Sequence, residues 1–593
     1  MSHTNATLDV QSTAITPAAV ALPIPSFPSD AGPSGKPEDA TLHSPGGSGL
    51  AWPDHAREAA GADDRDRSAP LDLSDAAAIE ELRRILETHG YSETGVNQAL
   101  GREEGRSRLG TDLPVYLRRL SARTPLNILT KLFCLHARVE AEEARATLAP
   151  LTLSQLLAVG LLEVVSHGVQ ARLAISPCEG LWLAHDFAED SRARLAADHV
   201  LGISPATRTL ARLTVRRPAG RVLDLGAGCG IQGLLMAGHC ERVTAVDTNP
   251  RALNLTAFNA RLNRLTNVEC RLGNLFAPVA GERFDLILCN PPYVISPESH
   301  YQFRDSGAPG DRICEQVVRT APRHLNEGGL ACVLCNWAHP EAEPWHQRLR
   351  EWIADNGCDS LLLRGATQDP LGYAAAWTRT ADAADYDQAL SRWCDYYARL
   401  GIQALSAGAV ILRRRQAAHH WVRTEALPNA LTEPCADQLE ALLRAEDFLA
   451  AHPAESDWLD QAFLLADGLH LHQSLVCRGG RFVLESMRVE FHDGLRFKGL
   501  VDASAFRLLA HCDGRRRLGE LADRLSRGGA AEGQITRSRA VALVRQLCAH
   551  GFLVPVEGAG ASGTGSPGGE REPDAQRKPA LGHAPSQTQE GSL

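Results

Sequence analysis

The apolar residues of the chain change their spacing from one stretch to the next, and each spacing predicts a different kind of element. Between residues 71 and 136 they recur at helical intervals, most clearly within Ile79–Leu86. Residues 161–165 and 169–175 are β-like runs on either side of a short polar turn, which predicts a hairpin. From residue 221 to residue 414, short apolar runs alternate with helical stretches, and this alternation is typical of a doubly wound α/β sheet.

These changes, together with composition, divide the 593-residue chain into five segments. Residues 1–70 and 557–593 are rich in Ser, Pro and Gly and lack periodicity, so we expect disordered tails. Residues 71–198 predict a helical, winged-helix-like N-terminal domain, and residues 417–556 predict a C-terminal α+β domain of winged-helix-like character. The remaining segment, residues 199–416, is predicted to be the doubly wound domain. Division into domains agrees with the length of the whole chain, because 593 residues are too many for a single hydrophobic core.

A glycine-rich turn follows the first predicted strand of this central domain. The segment Val222–Gly230 reads Val-Leu-Asp-Leu-Gly-Ala-Gly-Cys-Gly, and a helical stretch begins at Ile231. Glycines at such a junction let the backbone bend sharply and approach a ligand. Asp247 ends the next predicted strand, and a carboxylate at that position suits the two hydroxyls of a ribose. The pattern predicts a nucleotide-type cofactor site, and the alternative is a plain strand–helix turn with a surface acid.

A second motif, Asn290-Pro-Pro-Tyr293, follows the predicted strand Phe284–Cys289. Two prolines cannot continue a central strand, so the chain must leave the sheet here, at the edge where such sheets bind ligands. An Asn carbonyl and a neighbouring backbone carbonyl can accept both hydrogens of a planar NH2 group. A Tyr ring can stack on the flat face of the same molecule. The motif predicts a clamp for a planar amine, and the alternative is a proline-rich loop that only ends a strand.

Together the two motifs resemble the class I S-adenosylmethionine-dependent methyltransferases of the small-domain type with an Asn-Pro-Pro-Tyr motif. That group is similar to release-factor glutamine methyltransferases and to base amino-methyltransferases of DNA, rRNA and tRNA. The resemblance covers roughly Leu201–Arg415. It implies a seven-stranded sheet with helices on both faces and S-adenosylmethionine as the cofactor. An NAD enzyme can use the same glycines and acid but has no need of the second motif.

The resemblance also implies roles for individual residues. The methionine part of the cofactor would be lined by Asp224, Gly226, Gly228 and Gly230. Asp247 would hold the ribose, and Asn274 falls where the family usually has an Asp beside the adenine amine. The active site would consist of Asn290, Pro291, Pro292 and Tyr293.

Composition limits the setting of this chemistry. The 15 scattered cysteines suggest a reducing cytoplasm, and no apolar run is long enough to span a bilayer. Cys332 and Cys335 are three apart in a predicted strand and therefore face opposite sides, and the histidine pairs show no ligand spacing, so we expect no metal. The net charge of -10 does not favour nonspecific nucleic-acid binding. Residues 296–312 form a charged and aromatic loop in which Arg304 would either meet a phosphate or acidic partner or be solvated.

The acceptor of the methyl group stays open, and three hypotheses remain. The leading one is a base amino group in rRNA or tRNA, because the two winged-helix-like segments suggest a nucleic-acid partner. The alternative is protein-glutamine N-methylation of the release-factor type, since a glutamine amide offers the same planar NH2. Those enzymes usually have a compact helical N-terminal domain and lack a long C-terminal extension. The third is an inactive methyltransferase-like scaffold that binds partners through its end domains.

Overall fold

The structure is a computed structural model that describes most of the chain between the two tails. The described residues are 69–102, 109–187, 195–340, 343–379, 383–428, 431–527 and 535–556. The tails expected to be disordered therefore lie outside the described residues, apart from residues 69 and 70.

The part of the chain before the central sheet forms six described helices and two small antiparallel sheets. The helices are α1 (Ala76–Thr88), α2 (Glu93–Leu100), α3 (Leu109–Arg119), α4 (Pro125–Phe133), α5 (Ala141–Leu148) and α6 (Leu153–Val159). The strands are β1 (Val139–Glu140), β2 (Leu162–Val165), β3 (Gly168–Ala171), β4 (Ala174–Cys178) and β5 (Leu181–His185). Strands β1, β3 and β2 form one sheet in that order, and β4 pairs with β5. The order α4, β1, α5, α6 and a β2–β3 hairpin agrees with the expected winged-helix-like character.

The central sheet has eight strands. They are β6 (Ala219–Leu225), β7 (Cys240–Asp247), β8 (Val268–Leu272), β9 (Phe284–Cys289), β10 (Leu325–His339), β11 (Cys358–Gln368), β12 (Ala404–Arg414) and β13 (Val422–Ala426). Their order is β13-β11-β12-β10-β9-β6-β7-β8. Strands β6 to β10 are parallel to one another, and β12 runs antiparallel to both of its neighbours.

The eighth strand corrects the expected count of seven. Strand β13 adds to the edge of the sheet by pairing in parallel with β11. It lies beyond residue 416, the expected end of the central domain. The sequence pattern did not predict this strand, because a short half-buried edge strand has too few apolar residues to be distinguished from a loop.

Helices cover both faces of the sheet, as the doubly wound fold class predicts. They are α7 (Pro205–Leu213), α8 (Ile231–Ala237), α9 (Pro250–Leu262), α10 (Arg312–Thr320), α11 (Gln347–Trp352), α12 (Pro370–Thr378) and α13 (Ala383–Leu400). Two 3-10 turns, Ala277–Val279 and Ala321–His324, complete the connections. Side chains alternate along β10, so Cys332 and Cys335 belong to the apolar clusters on opposite faces, as predicted.

The C-terminal part of the chain continues from β13 into five described helices and six strands. The helices are α14 (Ala436–Ala451), α15 (Glu455–Leu459), α16 (Ala503–Leu509), α17 (Leu518–Ser526) and α18 (Arg537–Ala549). The strands are β14 (Ala462–Leu465), β15 (Leu469–Arg478), β16 (Arg481–Phe491), β17 (Lys498–Leu500), β18 (Asp513–Arg517) and β19 (Leu553–Pro555). Strands β18, β14 and β19 form one sheet, and β15, β16 and β17 form another.

Both flanking parts share apolar cores with the central domain. Residues of the first six helices lie in one cluster with α8 and α9, and residues from 427 to 553 lie in another with one face of the sheet. The backbone N–H of Cys435 donates to the carbonyl of Arg212 at 2.7 Å, and the Arg212 guanidinium donates to the carbonyl of Leu431. Among the described helices, none combines the length and the apolar composition that a membrane crossing requires.

Candidate active site

The register of the sheet brings the ends of four strands to one edge. Leu225, the last residue of β6, pairs with Val246 of β7 on one side and with Cys289 of β9 on the other. Asp247 pairs with Leu272, the last residue of β8. The residues that follow these strand ends therefore start at the same level, which is where ligands bind in sheets of this kind.

The glycine turn, Gly226–Gly230, has the backbone that the sequence predicts. Gly226, Gly228 and Gly230 have φ values of +75°, +58° and +85°, in the left-handed region that favours glycine. A Cβ on Gly228 would meet no atom within 4 Å, so the backbone there borders open space. A Cβ on Gly230 would instead lie 2.7 Å from the Thr256 side chain. The turn thus combines an open side, where a ligand can approach, with a side that packs against α9.

Two side chains of α9 donate hydrogen bonds to backbone carbonyls of the glycine turn. The Thr256 hydroxyl donates to the carbonyl of Gly228 at 3.0 Å. The Asn259 amide donates to the carbonyls of Cys229 at 2.9 Å and of Ala184 in β5 at 3.0 Å. Sequence reasoning missed both residues, because a polar residue on a helix carries no local sign that it faces a loop. Asn259 links the N-terminal part of the chain to the candidate cofactor site.

Asp247 contacts the glycine turn directly. Its Oδ2 accepts the N–H of Gly228 at 2.9 Å and its Oδ1 accepts the N–H of Asn249 at 2.8 Å. Burial raises the pKa of this carboxyl above its ordinary value, while the backbone N–H groups oppose the shift. Each carboxylate oxygen retains acceptor capacity for a hydroxyl group.

Asp224 lies deeper, in β6. Only 2% of its surface is exposed, and its Oδ2 accepts the N–H of Gly233 in α8 at 2.8 Å. Burial raises the pKa of Asp224 to about 7. The structure therefore shows this carboxyl joining β6 to α8, beneath the turn that is expected to bind the methionine part of the cofactor.

The second motif adjoins the first. A Cβ built on Gly226 would lie 3.9 Å from the backbone oxygen of Asn290, so the two loops are in contact at the edge of the sheet. The side-chain oxygen of Asn290 is buried and has no hydrogen-bond partner among the described residues. Leaving a buried acceptor unpaired costs about 1–3 kcal/mol. An acceptor in that state beside an open glycine turn suits a ligand that donates a hydrogen.

The other residues of the motif line the same loop. Pro291 is buried and Pro292 is half-buried. Tyr293 is half-buried against three apolar clusters. Burial raises the pKa of the Tyr293 hydroxyl above its ordinary value, and Tyr373 adds to the shift.

Asn274 lies two residues beyond the end of β8 and is exposed. The N–H of Gly273 donates to the carbonyl of Asp247 at 3.0 Å, which brings the segment containing Asn274 to the end of β7. The structure thus places four of the predicted parts together: the glycine turn, Asp247, Asn274 and the Asn290 motif.

Two tyrosines that sequence reasoning missed hold the backbone that follows the Asn290 motif. The Tyr397 hydroxyl donates to the carbonyl of Ile295 at 2.8 Å. The N–H of Ile295 donates to the Tyr373 hydroxyl at 3.2 Å, and the Asn336 amide donates to the same hydroxyl at 2.7 Å. Helices α12 and α13 supply these tyrosines from an insertion between β11 and β12. The only signal in the sequence is a concentration of aromatic residues in these two helices, which is also typical of a core.

The loop at residues 296–312 is internally bonded, so neither expectation for Arg304 describes it. Arg304 pairs with Asp305 at 2.8 Å and with Glu298 at 2.9 Å, and its guanidinium lies 4.9 Å from the Tyr301 ring centroid. Asp305 is buried and also accepts the N–H groups of His300 and Tyr301. Arg304 therefore stabilises the loop beside the candidate site.

The segment at residues 197–198, which precedes β6, connects the loop after Asp247 to the loop after the Asn290 motif. The Asn249 amide, next to Asp247, donates to the carbonyl of Asp198 at 2.8 Å. The N–H of Gln302, in the loop after the Asn290 motif, donates to the carbonyl of Ala197 at 3.2 Å. The backbone at 197–198 thus bridges the acid loop and the motif loop.

Three stretches of the chain match known protein families. Residues 201–352 match the family described as "Methyltransferase small domain". Residues 88–172 and 440–555 match two families described as domains of unknown function, DUF7059 and DUF7782. Residues 201–352 are therefore a methyltransferase small domain of the class I S-adenosylmethionine-dependent type, as the resemblance implied.

Two glutamine methyltransferases are among the curated proteins that are similar to this chain. A release factor glutamine methyltransferase of Xylella fastidiosa is 37% identical over 131 residues, which are 20% of this chain and 47% of that protein. A ribosomal protein uL3 glutamine methyltransferase of Bradyrhizobium diazoefficiens is 38% identical over 126 residues, 19% of this chain and 40% of that protein. The chain thus spans about half the length of the curated relatives it matches.

Among solved structures, Trm5b from Pyrococcus abyssi is 17% identical and aligns over 43% of this chain and 62% of its own, with a TM-score of 0.26. Similarity at that level carries no argument about function.

Proposed function

We propose that the chain is an N-methyltransferase that uses S-adenosylmethionine and acts on the side-chain amide of a glutamine in a protein. One observation carries the proposal: the buried, unpaired oxygen of Asn290 lies on a loop in contact with the glycine turn. A planar NH2 group is a donor that suits this acceptor.

The residues around the glycine turn fit the cofactor. Open space beside Gly228 leaves room for it, and the Asp247 carboxylate at the same edge suits a ribose diol. When bound, S-adenosylmethionine supplies an electrophilic methyl group on a sulfonium. Gly226, Gly228 and Gly230 would let the backbone approach the methionine part, and Asn274 would accept a hydrogen bond from the adenine amine.

In this proposal the Asn290 motif positions the acceptor nitrogen. The side-chain oxygen of Asn290 accepts one hydrogen of the NH2 group, and a neighbouring backbone carbonyl accepts the other. These two bonds draw the nitrogen lone pair out of conjugation and orient it toward the methyl group. The prolines restrict the loop, and Tyr293 packs against the planar amide. The attacking nitrogen is neutral, so it needs no strong base before the attack. Most of the rate enhancement then comes from positioning this nitrogen against the methyl group.

The relatives favour glutamine over the base expected from the sequence. Both curated relatives named above are glutamine methyltransferases, one named for a release factor and one for ribosomal protein uL3. An amide and a base amino group present the same planar NH2, so the geometry of Asn290 serves either acceptor. The choice of glutamine as the methyl acceptor therefore rests on these two relatives, which align with 20% and 19% of this chain.

The test is radiolabelled methyl transfer by the full chain into an extract of its own cells, followed by separate digestion with protease and with RNase. We expect the label to be released by protease only and to locate to a glutamine side chain in peptide mass spectra. Purified release factor and ribosomal protein uL3 serve as direct acceptors. Label that is lost only to RNase would overturn the glutamine assignment in favour of the base, and cofactor binding without transfer to any fraction would favour an inactive scaffold.

A further inference from the structure

Three side chains of types that can ligate a metal converge on the β15–β16 hairpin of the C-terminal part, about 180 residues beyond the Asn290 motif in sequence. His472 lies on β15, Glu490 lies on β16, and His492 follows the end of β16. The Nε2 atoms of the two histidines are 3.1 Å apart. The Glu490 Oε1 is 3.0 Å from the His472 Nε2 and 3.3 Å from the His492 Nε2.

Hydrogen bonds alone do not account for this triangle of atoms. Each imidazole carries at most one hydrogen on Nε2, and an ionised carboxylate only accepts. When both Nε2 atoms are protonated, both can donate to Glu490, but the contact between the two Nε2 atoms then joins two donors. When one is protonated, its hydrogen can be shared by the two other atoms, and the remaining contact then joins two acceptors. A single cation among the three atoms would make all three contacts favourable.

The distances agree with the coordination of zinc. Zinc is held by His nitrogen and carboxylate oxygen at about 2.0–2.2 Å in tetrahedral sites, so neighbouring ligand atoms lie roughly 3.3–3.5 Å apart. The three distances measured here, 3.0, 3.1 and 3.3 Å, lie close to that spacing. Two imidazoles and one carboxylate are also the ligand set of zinc sites that keep a fourth position for water.

Hairpin register explains why these residues meet and why the sequence did not reveal them. In β16, Met487, Val489 and Phe491 are buried, so Glu490 and His492 belong to the opposite face. Register pairs His470 of β15 with Glu490, which puts His472 diagonally across from the carboxylate. His472 is 18 residues from Glu490 and 20 from His492 in sequence, and the expectation that no metal binds rested on local spacing alone.

Neighbouring side chains hold two of the three groups in place. The Arg488 Nε lies 2.8 Å from the Glu490 Oε2 and its Nη2 donates to Oε1 at 3.4 Å, so the guanidinium orients the carboxylate through both oxygens. The His470 ring stacks on the His492 ring with 3.9 Å between centroids and 6° between planes. Such outer contacts orient metal ligands. The side chains of His472 and His492 are 44% and 48% exposed, so an ion can enter from solvent.

We propose that His472, Glu490 and His492 form a zinc site that links β15 to the end of β16. This site is independent of the proposed methyl transfer. Because the ligands come from both strands, bound zinc would fix the register of the hairpin and stabilise it against opening.

The experiment measures zinc in the full chain. After treatment with a chelator and dialysis, the protein is titrated with Zn²⁺ against a chromophoric chelator, and bound metal is counted by atomic emission. We expect one zinc per chain and a melting temperature that rises with zinc. His472→Gln and His492→Gln are expected to bind at least about tenfold more weakly and to lose the zinc-dependent rise.

Two variants serve as matched controls. Cys477→Ser removes an exposed thiol from the same hairpin, and His419→Gln removes an exposed imidazole from a loop elsewhere. Both are expected to bind zinc as the unaltered chain does. Equal binding by the two ligand variants, or loss of binding in Cys477→Ser, would overturn the proposal.

A measurement on the unaltered chain guards against a variant that fails to fold. Diethyl pyrocarbonate modifies accessible imidazoles, and peptide mass spectra report each one separately. Zinc is expected to protect His472 and His492 while leaving His419 reactive. Equal modification of all three with and without zinc would contradict the site.

Discussion

At the scale of single residues, Asn290 and Asp247 have separable tasks. Asn290 contributes a buried acceptor without a partner in the described structure, whereas Asp247 joins the end of β7 to the glycine turn through two backbone N–H groups. In the proposed function the first contacts the methyl acceptor and the second contacts the cofactor. Substitution of each should therefore affect a different measured constant.

We expect Asn290→Ala to lower kcat by at least about 100-fold, because removal of one preorganised hydrogen bond to the reacting group typically has that cost. Its affinity for S-adenosylmethionine should stay within about twofold, since charged and hydrogen-bonded contacts to the cofactor remain. Asp247→Ala should instead raise the cofactor Kd at least about tenfold through loss of hydrogen bonds to a charged group. Calorimetric titration gives the Kd and methyl incorporation gives kcat. Full activity in Asn290→Ala would refute the clamp.

At the scale of elements, α12 and α13 act as a brace for the motif loop. Their tyrosines bind both the N–H and the carbonyl of Ile295, the second residue after Tyr293. A backbone held at both polar groups loses its freedom to shift, and a displacement of about 1 Å at a reacting group can lower a rate 100-fold. We therefore expect the insertion between β11 and β12 to position the motif loop as well as to form part of the core.

Tyr397→Phe tests this brace, because it removes one hydroxyl and leaves the ring. We expect kcat to fall about tenfold, with the cofactor Kd unchanged and the stability lowered by about 1–3 kcal/mol for an unpaired buried carbonyl. Tyr386→Phe on the same helix is the matched control and should leave kcat unchanged. If kcat is unaltered in Tyr397→Phe while stability falls, the contact is only structural.

At the scale of the whole molecule, the C-terminal part and the central sheet share one apolar cluster. Leu210 and Leu213 of α7 belong to it together with Leu442 of α14, which is 2% exposed. Burial of that kind couples the parts it joins, so the central domain and the C-terminal part should unfold together. The flanking part is then a component of the folded unit rather than an appendage.

Leu442→Ala is expected to lower the free energy of unfolding by about 2–5 kcal/mol, the usual cost of a cavity in a core. Thermal unfolding followed by circular dichroism and by loss of bound cofactor should shift together. Leu465→Ala, at a position 43% exposed in the same part, should change stability by less than about 0.5 kcal/mol. Two separate transitions in Leu442→Ala would show that the parts fold independently.

Local patterns in the sequence were enough to predict the doubly wound sheet, the glycine turn and the motif loop. Glycines with positive φ and two prolines after a strand restrict the backbone where they stand, so their effect is readable without the rest of the chain. Parallel strands then bring their carboxyl ends to one edge, which is why Gly226 and Asn290 were expected together and are in contact.

Tertiary structure decided what depends on residues far apart in the chain. Tyr397 reaches Ile295 across 102 positions, β13 joins the sheet only by pairing with β11, and His472 meets Glu490 only through hairpin register. No short window of sequence contains both partners of such a contact. The backbone chemistry of single residues determines turns and strand ends, whereas packing and register determine which distant side chains meet.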